Sequence, residues 1–282
     1  MGFSRPHVTG PEASGPPRRP RSVGQGPPGL LSVLAAGGVV LFLLPLSALL
    51  TRAPWGSLGE LLASEIVVDS LRLSVVTSLL ATAVSALLGV PLAWVIARQS
   101  FRGRALVRGI VTLPLVLPPV VGGAALLFGL GRRGLVGGPV NDATGLLLPY
   151  SLWGVVVANT FVAMPFLVIA VESALRNLDG RYEEAAAALG ARRWTLLRRV
   201  TLPMIGPSLV AGLVLTWARA FGEFGATITF AGNLQGRTQT LPLAVFVALE
   251  TDRDLAVALS LLMVVVSLTV LVALRDRWWG AI

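Results

Sequence analysis

Long runs without a charged side chain constrain this chain more than any other feature. Leu30 to Leu50 gives 21 uncharged residues, and Leu255 to Leu274 gives 20 between Asp254 and Arg275. A helix rises about 1.5 Å per residue, so about 20 apolar residues cross the hydrocarbon layer of a bilayer. Four more apolar stretches lie between these two, at about 73–97, 106–130, 150–171 and 204–230. The 106–130 stretch carries Pro114, Pro118 and Pro119 followed by Gly122 and Gly123, and the 204–230 stretch carries Arg219 and Glu223. The expected fold class is therefore all-α, a polytopic membrane protein with about six transmembrane helices. Leu30 to Leu50 is too long for the ~7–15-residue apolar core of a signal peptide and is expected to stay as the first span.

Composition agrees. Charged residues make up 13% of the chain and hydrophobic ones 54%, where soluble domains average about 25% charged. Residues 1–29 hold seven Pro, six Gly and four Arg without apolar periodicity. Such a segment buries too little surface to offset its ordering entropy, and is read as a disordered tail. The expected organisation is this tail, a transmembrane domain over 30–275 that includes a polar loop at 179–203, and a short terminus at 276–282.

Absences remove whole function classes. All 23 basic residues are Arg, Cys is missing, and the lone His is His7 in the tail. Without Lys there is no phosphate-binding loop of the G-x-x-x-x-G-K-[ST] kind. Without Cys there is no disulfide, thiolate metal site or thiol nucleophile. No span contains His, which argues against an intramembrane hydrolase with a Ser–His pair or a His-bound metal. The formal net charge of +9 need not mean nucleic acid, because basic residues also collect in cytoplasmic loops. Sixteen arginines fall in the tail, the 98–108 loop, the 172–203 loop and the C-terminus; Arg52, Arg132, Arg133, Arg237 and Arg253 lie on the other side. Both termini are expected to be cytoplasmic.

The 172–203 loop says more. Glu183 and Glu184 precede the run Ala185–Ala188, so good helix formers follow acids placed where the helix dipole favours them. Gly190 suits a left-handed helix end. A second short helix is expected from Trp194 to Val200, with Trp194, Leu197 and Val200 near one face, and Pro203 fits the start of the next span. From spacing alone, a docking element and an amphipathic loop resting on the membrane stand level.

The order Glu184-Ala185-Ala186, three residues, Gly190, nine residues, then Val200-Thr201-Leu202-Pro203 resembles the EAA loop of bacterial ABC-importer permeases. Val200 replaces the Ile of that pattern. Ala218 to Thr227, Ala231-Gly232-Asn233 and Gly236 to Leu243 are similar to the molybdate branch of the molybdate, sulfate and tungstate permeases. The resemblance spans about 60–275. It implies the type I ABC-importer permease fold and a subunit that is not itself an enzyme, with ATP bound and hydrolysed by a separate ABC ATPase subunit. It also implies a homodimer in the bacterial plasma membrane and an extracytoplasmic molybdate-binding protein that delivers the anion. No cofactor and no nucleic acid are expected for this chain. Glu184, Ala185, Ala186, Leu189 and Gly190 become the expected coupling contacts to the ATPase. Sulfate or tungstate as the cargo, and an ATPase-independent channel, remain the alternatives.

Arg219 and Glu223 are four apart, hence on one helix face. An Arg inside a membrane costs about 2.5–3.5 kcal/mol on insertion scales, so it needs a partner or water. The pair reads either as a structural strut, the favoured version, or as part of the translocation route. Pro118, Pro119 and Gly122 read either as small-residue packing or as a pore-lining hinge.

Overall fold

The computed structural model describes Gly2 and residues 29–279. Apart from Gly2 and Gly29, the tail expected over 1–29 lies outside the described residues, as does the end of the 276–282 terminus. Contacts divide the chain into two units, residues 1–48 and 49–282. The described part of the first is Gly2 and most of helix α1 (Gly29–Thr51), an uncharged helix in which no residue is buried. Pro45 interrupts its backbone bonding, and the Ser47 hydroxyl donates to the Leu44 carbonyl at 2.9 Å.

The second unit begins with α2 (Leu58–Leu62) and the long α3 (Glu65–Arg98). Next come α4 (Arg104–Thr112), a 3-10 turn at Leu113–Leu115, α5 (Pro119–Leu130) and α6 (Gly137–Thr144). Then follow α7 (Leu152–Asn177), α8 (Gly180–Ala188), α9 (Arg193–Leu196) and a π turn at Leu197–Thr201. The chain finishes with α10 (Leu202–Phe221), α11 (Gly225–Phe230), α12 (Leu241–Thr251) and α13 (Arg253–Trp279). Among the described residues five helices are long and apolar enough to cross a membrane, and a sixth crossing exists if one bent pair is counted as a single span.

The bent pair corrects the expected third span. Residues 106–130 form no continuous helix: Arg104–Leu115 and Pro119–Leu130 meet at 117°. A residue before proline is pushed out of the helical region, and proline has no N–H to donate. Pro118 accordingly adopts ψ 132°, and Pro119 starts the next helix at a position that needs no intrahelical N–H bond. The expected fifth span is also interrupted. α10 ends at Phe221, residues 222–224 leave the helix, and the short α11 follows. The separate helix expected over Trp194–Val200 is instead the start of one 29-residue helical stretch, Arg193–Phe221, with a π turn inside it.

Helix α7 is the hub, packing extensively against both α3 and α10. One buried face of α3 is small and weakly polar: Ser74, Thr77, Ser78, Ala81 and Ser85 are all buried, with Ala81 against Val156 and Ala163 of α7. Spacings of three and four place them on one stripe, and small side chains let helix backbones approach where lipid offers no hydrophobic drive. Thr77 and Ser78 use their hydroxyls locally, donating to the Leu73 carbonyl at 2.7 Å and the Val75 carbonyl at 3.1 Å. Leu167, Val171 and Leu175 of α7 pack with Ala93 and Ile96 of α3 and Ile205 of α10 at one end. At the other end Val67, Phe221, Leu241, Ala244 and Leu259 join α3, α10, α12 and α13. There the Leu241 N–H donates to Ser74 Oγ at 2.7 Å, tying α12 to α3.

The two interrupted spans meet each other. A Cβ on Gly123 of α5 would lie 2.7 Å from the Ala226 carbonyl oxygen of α11, and one on Gly225 would lie 2.8 Å from Pro119 Cβ. Gly123→Leu is expected to overpack this contact and to destabilise by about 1–3 kcal/mol. Gly129→Leu, where an added Cβ meets nothing within 4 Å, should be near neutral. Thermal unfolding of the two detergent-solubilised variants checks this, and equal losses would refute the close approach.

Candidate functional site

The polar segment after α7 opens with a built helix start. Asp179 accepts the Arg181 N–H at 3.0 Å, and Arg181 Nη2 lies 2.7 Å from Asp179 Oδ2. These side-chain and backbone hydrogen bonds from Arg181 hold the Asp179 carboxyl below its ordinary value. The other end of α8 is closed by Gly190 at φ 82°. Its N–H bonds to the Ala187 carbonyl at 2.9 Å, and the Ala191 N–H bonds to the Ala186 carbonyl at 3.0 Å. That pair of bonds is a Schellman closure, which needs a left-handed residue where glycine alone has no Cβ penalty.

Closing the helix this way leaves a small, presented surface. Glu184, Ala185, Leu189 and Gly190 are exposed and Ala186 is half-buried; Leu189 reaches 90% exposure. An apolar side chain that open, on a rigid turn beside alanines, can be covered closely by a partner's wall. Trp194, also exposed, carries the Arg198 guanidinium 4.5 Å from its ring centroid.

The carboxylate that anchors α8 is Glu183, one residue before the expected coupling run. Its Oε2 lies 3.1 Å from Arg98 Nη2 at the end of α3, and its Oε1 accepts the Thr201 hydroxyl at 2.7 Å. A second anchor is Glu172, 2% exposed near the end of α7, with Arg176 at 2.7 Å and Arg108 of α4 at 3.3 Å. The i,i+4 spacing to Arg176 was readable in the sequence; the reach to Arg108, 64 positions away, was not.

Arg219 and Glu223 sit at the break between α10 and α11. Arg219 Nη1 lies 2.7 Å from Glu223 Oε2, with the carboxylate side chain 1% and the guanidinium 29% exposed. The other carboxylate oxygen accepts the Ala226 N–H at 2.7 Å. Glu223 therefore supplies a donor in the first turn of α11 with an acceptor while pairing with Arg219. Close by, the Thr227 hydroxyl donates to Asn159 Oδ1 of α7 at 3.2 Å. Pro118 and Pro119 form the bend between α4 and α5, and Gly122 lies one turn on, where a Cβ would meet Phe161 Cε1 at 3.0 Å. The structure brings Pro119 against Gly225, close in sequence to Glu223, and keeps the α8 surface as a distinct cluster. Among the described residues no group of three His, Cys, Asp or Glu is arranged to hold a metal ion.

Comparison with known proteins gives one consistent result. Residues 89–279 match the family described as binding-protein-dependent transport system inner membrane component. The molybdenum transport system permease protein ModB of Mycobacterium tuberculosis is 47% identical over 243 residues, covering 86% of this chain and 92% of that protein. ModB of Escherichia coli is 39% identical over 214 residues, covering 76% and 93%. The sulfate transport system permease protein CysT of Escherichia coli is 34% identical over 240 residues, covering 84% and 86%. Among solved structures, a bacterial alginate ABC transporter in complex with an alginate pentasaccharide-bound periplasmic protein has a chain of like fold. It aligns with TM-score 0.71 at 21% identity, covering 86% of this chain and 91% of that one.

The buried carboxylate of Glu223 makes a sharp prediction. Removing one member of a buried pair costs about 3–5 kcal/mol when both groups are fully enclosed, and somewhat less here because Arg219 is 29% exposed. Arg219→Ala should lower the amount of folded protein in membranes. Adding Glu223→Gln, which removes the stranded charge and keeps an acceptor for the Ala226 N–H, should restore it. Quantified membrane levels check this; a double variant no better than the single would refute the pairing.

Proposed function

This chain belongs to the family of binding-protein-dependent transport system inner membrane components, and on that premise we propose that it is the transmembrane permease subunit of an ATP-driven ABC importer for molybdate. The observation that carries the anion assignment is the ordering of relatives: 47% identity to a molybdenum permease against 34% to a sulfate permease, each over more than four-fifths of the chain.

In this reading two copies of the chain form the pathway, and each presents α8 to one copy of a separate ATPase subunit. The sixteen arginines of the tail, the 98–108 and 172–203 loops and the C-terminus support an orientation with α8 and both termini on the cytoplasmic side. A binding protein on the opposite side delivers the anion. ATP is bound and hydrolysed by the partner, and this chain contributes no catalytic group and no cofactor. Energy reaches it as differential contact: α8 meets the ATPase differently in its open and closed states, and only such a difference shifts the equilibrium between inward and outward openings. Glu184, Ala185, Ala186, Leu189 and Gly190 form the contact surface. Arg219 with Glu223 acts as a strut that closes the break between α10 and α11. Pro118, Pro119 and Gly122 set the bend of the third span and its close packing.

Co-expression with the ATPase subunit and binding protein should yield a stable complex whose vesicles take up molybdate on ATP addition. Excess sulfate should compete weakly. An ATPase-independent anion flux through the chain alone would favour a channel and sink the proposal. Gly190→Val is the sharper test at the coupling surface. A β-branched residue held at φ 82° carries a left-handed strain of roughly 1–2 kcal/mol, enough to unwind one exposed turn. The variant should reach the membrane in normal amounts and lose ATP-dependent uptake. Normal uptake would refute the assignment of the α8 turn.

A further inference from the structure

Helix α8 has two faces with different jobs. The outer face carries Glu184, Ala185 and Leu189 and is open; the inner face carries Glu183 and Ala186, both half-buried. Among the described residues, the side-chain hydrogen bonds and ion pairs that tie α8 to the spans all pass through one group, the Glu183 carboxylate. One oxygen holds Arg98 Nη2 at 3.1 Å, at the last residue of α3. The other accepts from Thr201 at 2.7 Å, a fully buried residue that ends the π turn and leads into α10. Otherwise the chain joins α8 to α7 before it and to the Ala191–Arg192 link after it, and α8 packs against α9 and the π turn.

We propose that Glu183 is the positioning residue that carries displacement of α8 into the spans, by holding the ends of α3 and α10 to one carboxylate. The inference rests on the reading of α8 as the surface that meets the ATPase. Its physical basis is that α3 and α10 both pack against the α7 hub, so a group bonded to both moves them as a pair. The π turn at Leu197–Thr201 makes this mechanically sensible. A widened turn of this kind is rare and frequently sits at functional sites, and Thr201, which Glu183 holds, is its last residue. With Glu183 in place, a push on α8 arrives at α3 and at the yielding turn of α10 together. Without it, α8 can shift on its two links while α3 stays still.

The pair is partly solvated, with side-chain exposures of 28% for Arg98 and 17% for Glu183. Breaking it costs less than breaking a fully enclosed pair, and membrane level and ATPase retention of each variant are measured first, so that folding and assembly are read apart from coupling. That separates transmission from structure. The experiment uses the complete complex, with ATPase subunit and binding protein, in proteoliposomes supplied with molybdate, and reads ATP hydrolysis and uptake together. Glu183→Ala should retain the ATPase subunit on purification. Molybdate moved per ATP should fall about tenfold, within the usual range of coupling between sites. The exchanged pair Arg98→Glu with Glu183→Arg restores the opposite charges and leaves the Thr201 hydroxyl oxygen an acceptor. It should recover the ratio to within about threefold, the non-additivity expected of directly interacting residues. An assembled Glu183→Ala complex with the wild-type ratio overturns the proposal, as does an exchanged pair no better than the single variant. A wild-type chain that never retains the ATPase subunit is a different failure, since it removes the permease reading on which this one stands.

Discussion

A backbone that leaves the helix inside a hydrocarbon layer must find its hydrogen bonds within the protein, because no water is there to supply them. This chain breaks two of its spans, at residues 116–118 and at 222–224, and the rest of the architecture follows from how those breaks are satisfied. They are packed together. Pro119 meets Gly225 and Gly123 meets Ala226, while Glu223 accepts the Ala226 N–H and Asn159 of α7 accepts from Thr227. The break at 116–118 keeps its Val116 and Leu117 N–H groups on the Leu113 carbonyl, and the break at 222–224 relies on Glu223 and the hub helix.

Buried charge is used in the same way. Glu223 is costly inside a low-dielectric interior, and its pairing with Arg219 and with a backbone donor makes it tolerable rather than strongly stabilising. Glu172, between Arg176 and Arg108, ties α4 to α7 at its end of the unit. Glu183 ties α8 to α3 and α10. Three carboxylates on three elements each draw chain segments together where apolar packing has no directional preference. Helix packing in lipid rests on small residues and polar contacts for that reason.

The legibility of the sequence was uneven, and the unevenness is physical. The helical class was plain from uncharged runs, since length and charge alone decide whether a segment can cross a bilayer. Gly190 as a left-handed helix end was equally plain, because that geometry is local. Asn159 carries no sequence signal, Glu172 none beyond its spacing to Arg176, and Glu183 reads only as an acid early in its helix, since the partners that set them apart lie on other elements. The fifth span reads as one crossing although Gly222 and Gly225 are in view, and Pro118, Pro119 and Gly122 leave tight packing and a hinge both open for the third. Proline and glycine inside apolar helices are common enough that their presence does not reveal whether the helix bends or breaks.

By itself, the sequence determined that this chain is helical and membrane-spanning, that it lacks a phosphate-binding loop, and that its loop at 179–203 carries a helix closed at Gly190. Those are consequences of hydropathy, composition and local backbone preference, all written within a few residues of one another. Tertiary structure alone decided that the third span bends by 117°, that the two breaks pack face to face, and that α8 is held to the spans through Glu183 rather than its neighbour Glu184. Each of these depends on which residues distant in sequence come within bonding distance. Glu183 and Glu184 are chemically identical, and only the approach of Arg98 and Thr201 to one of them sets the two apart.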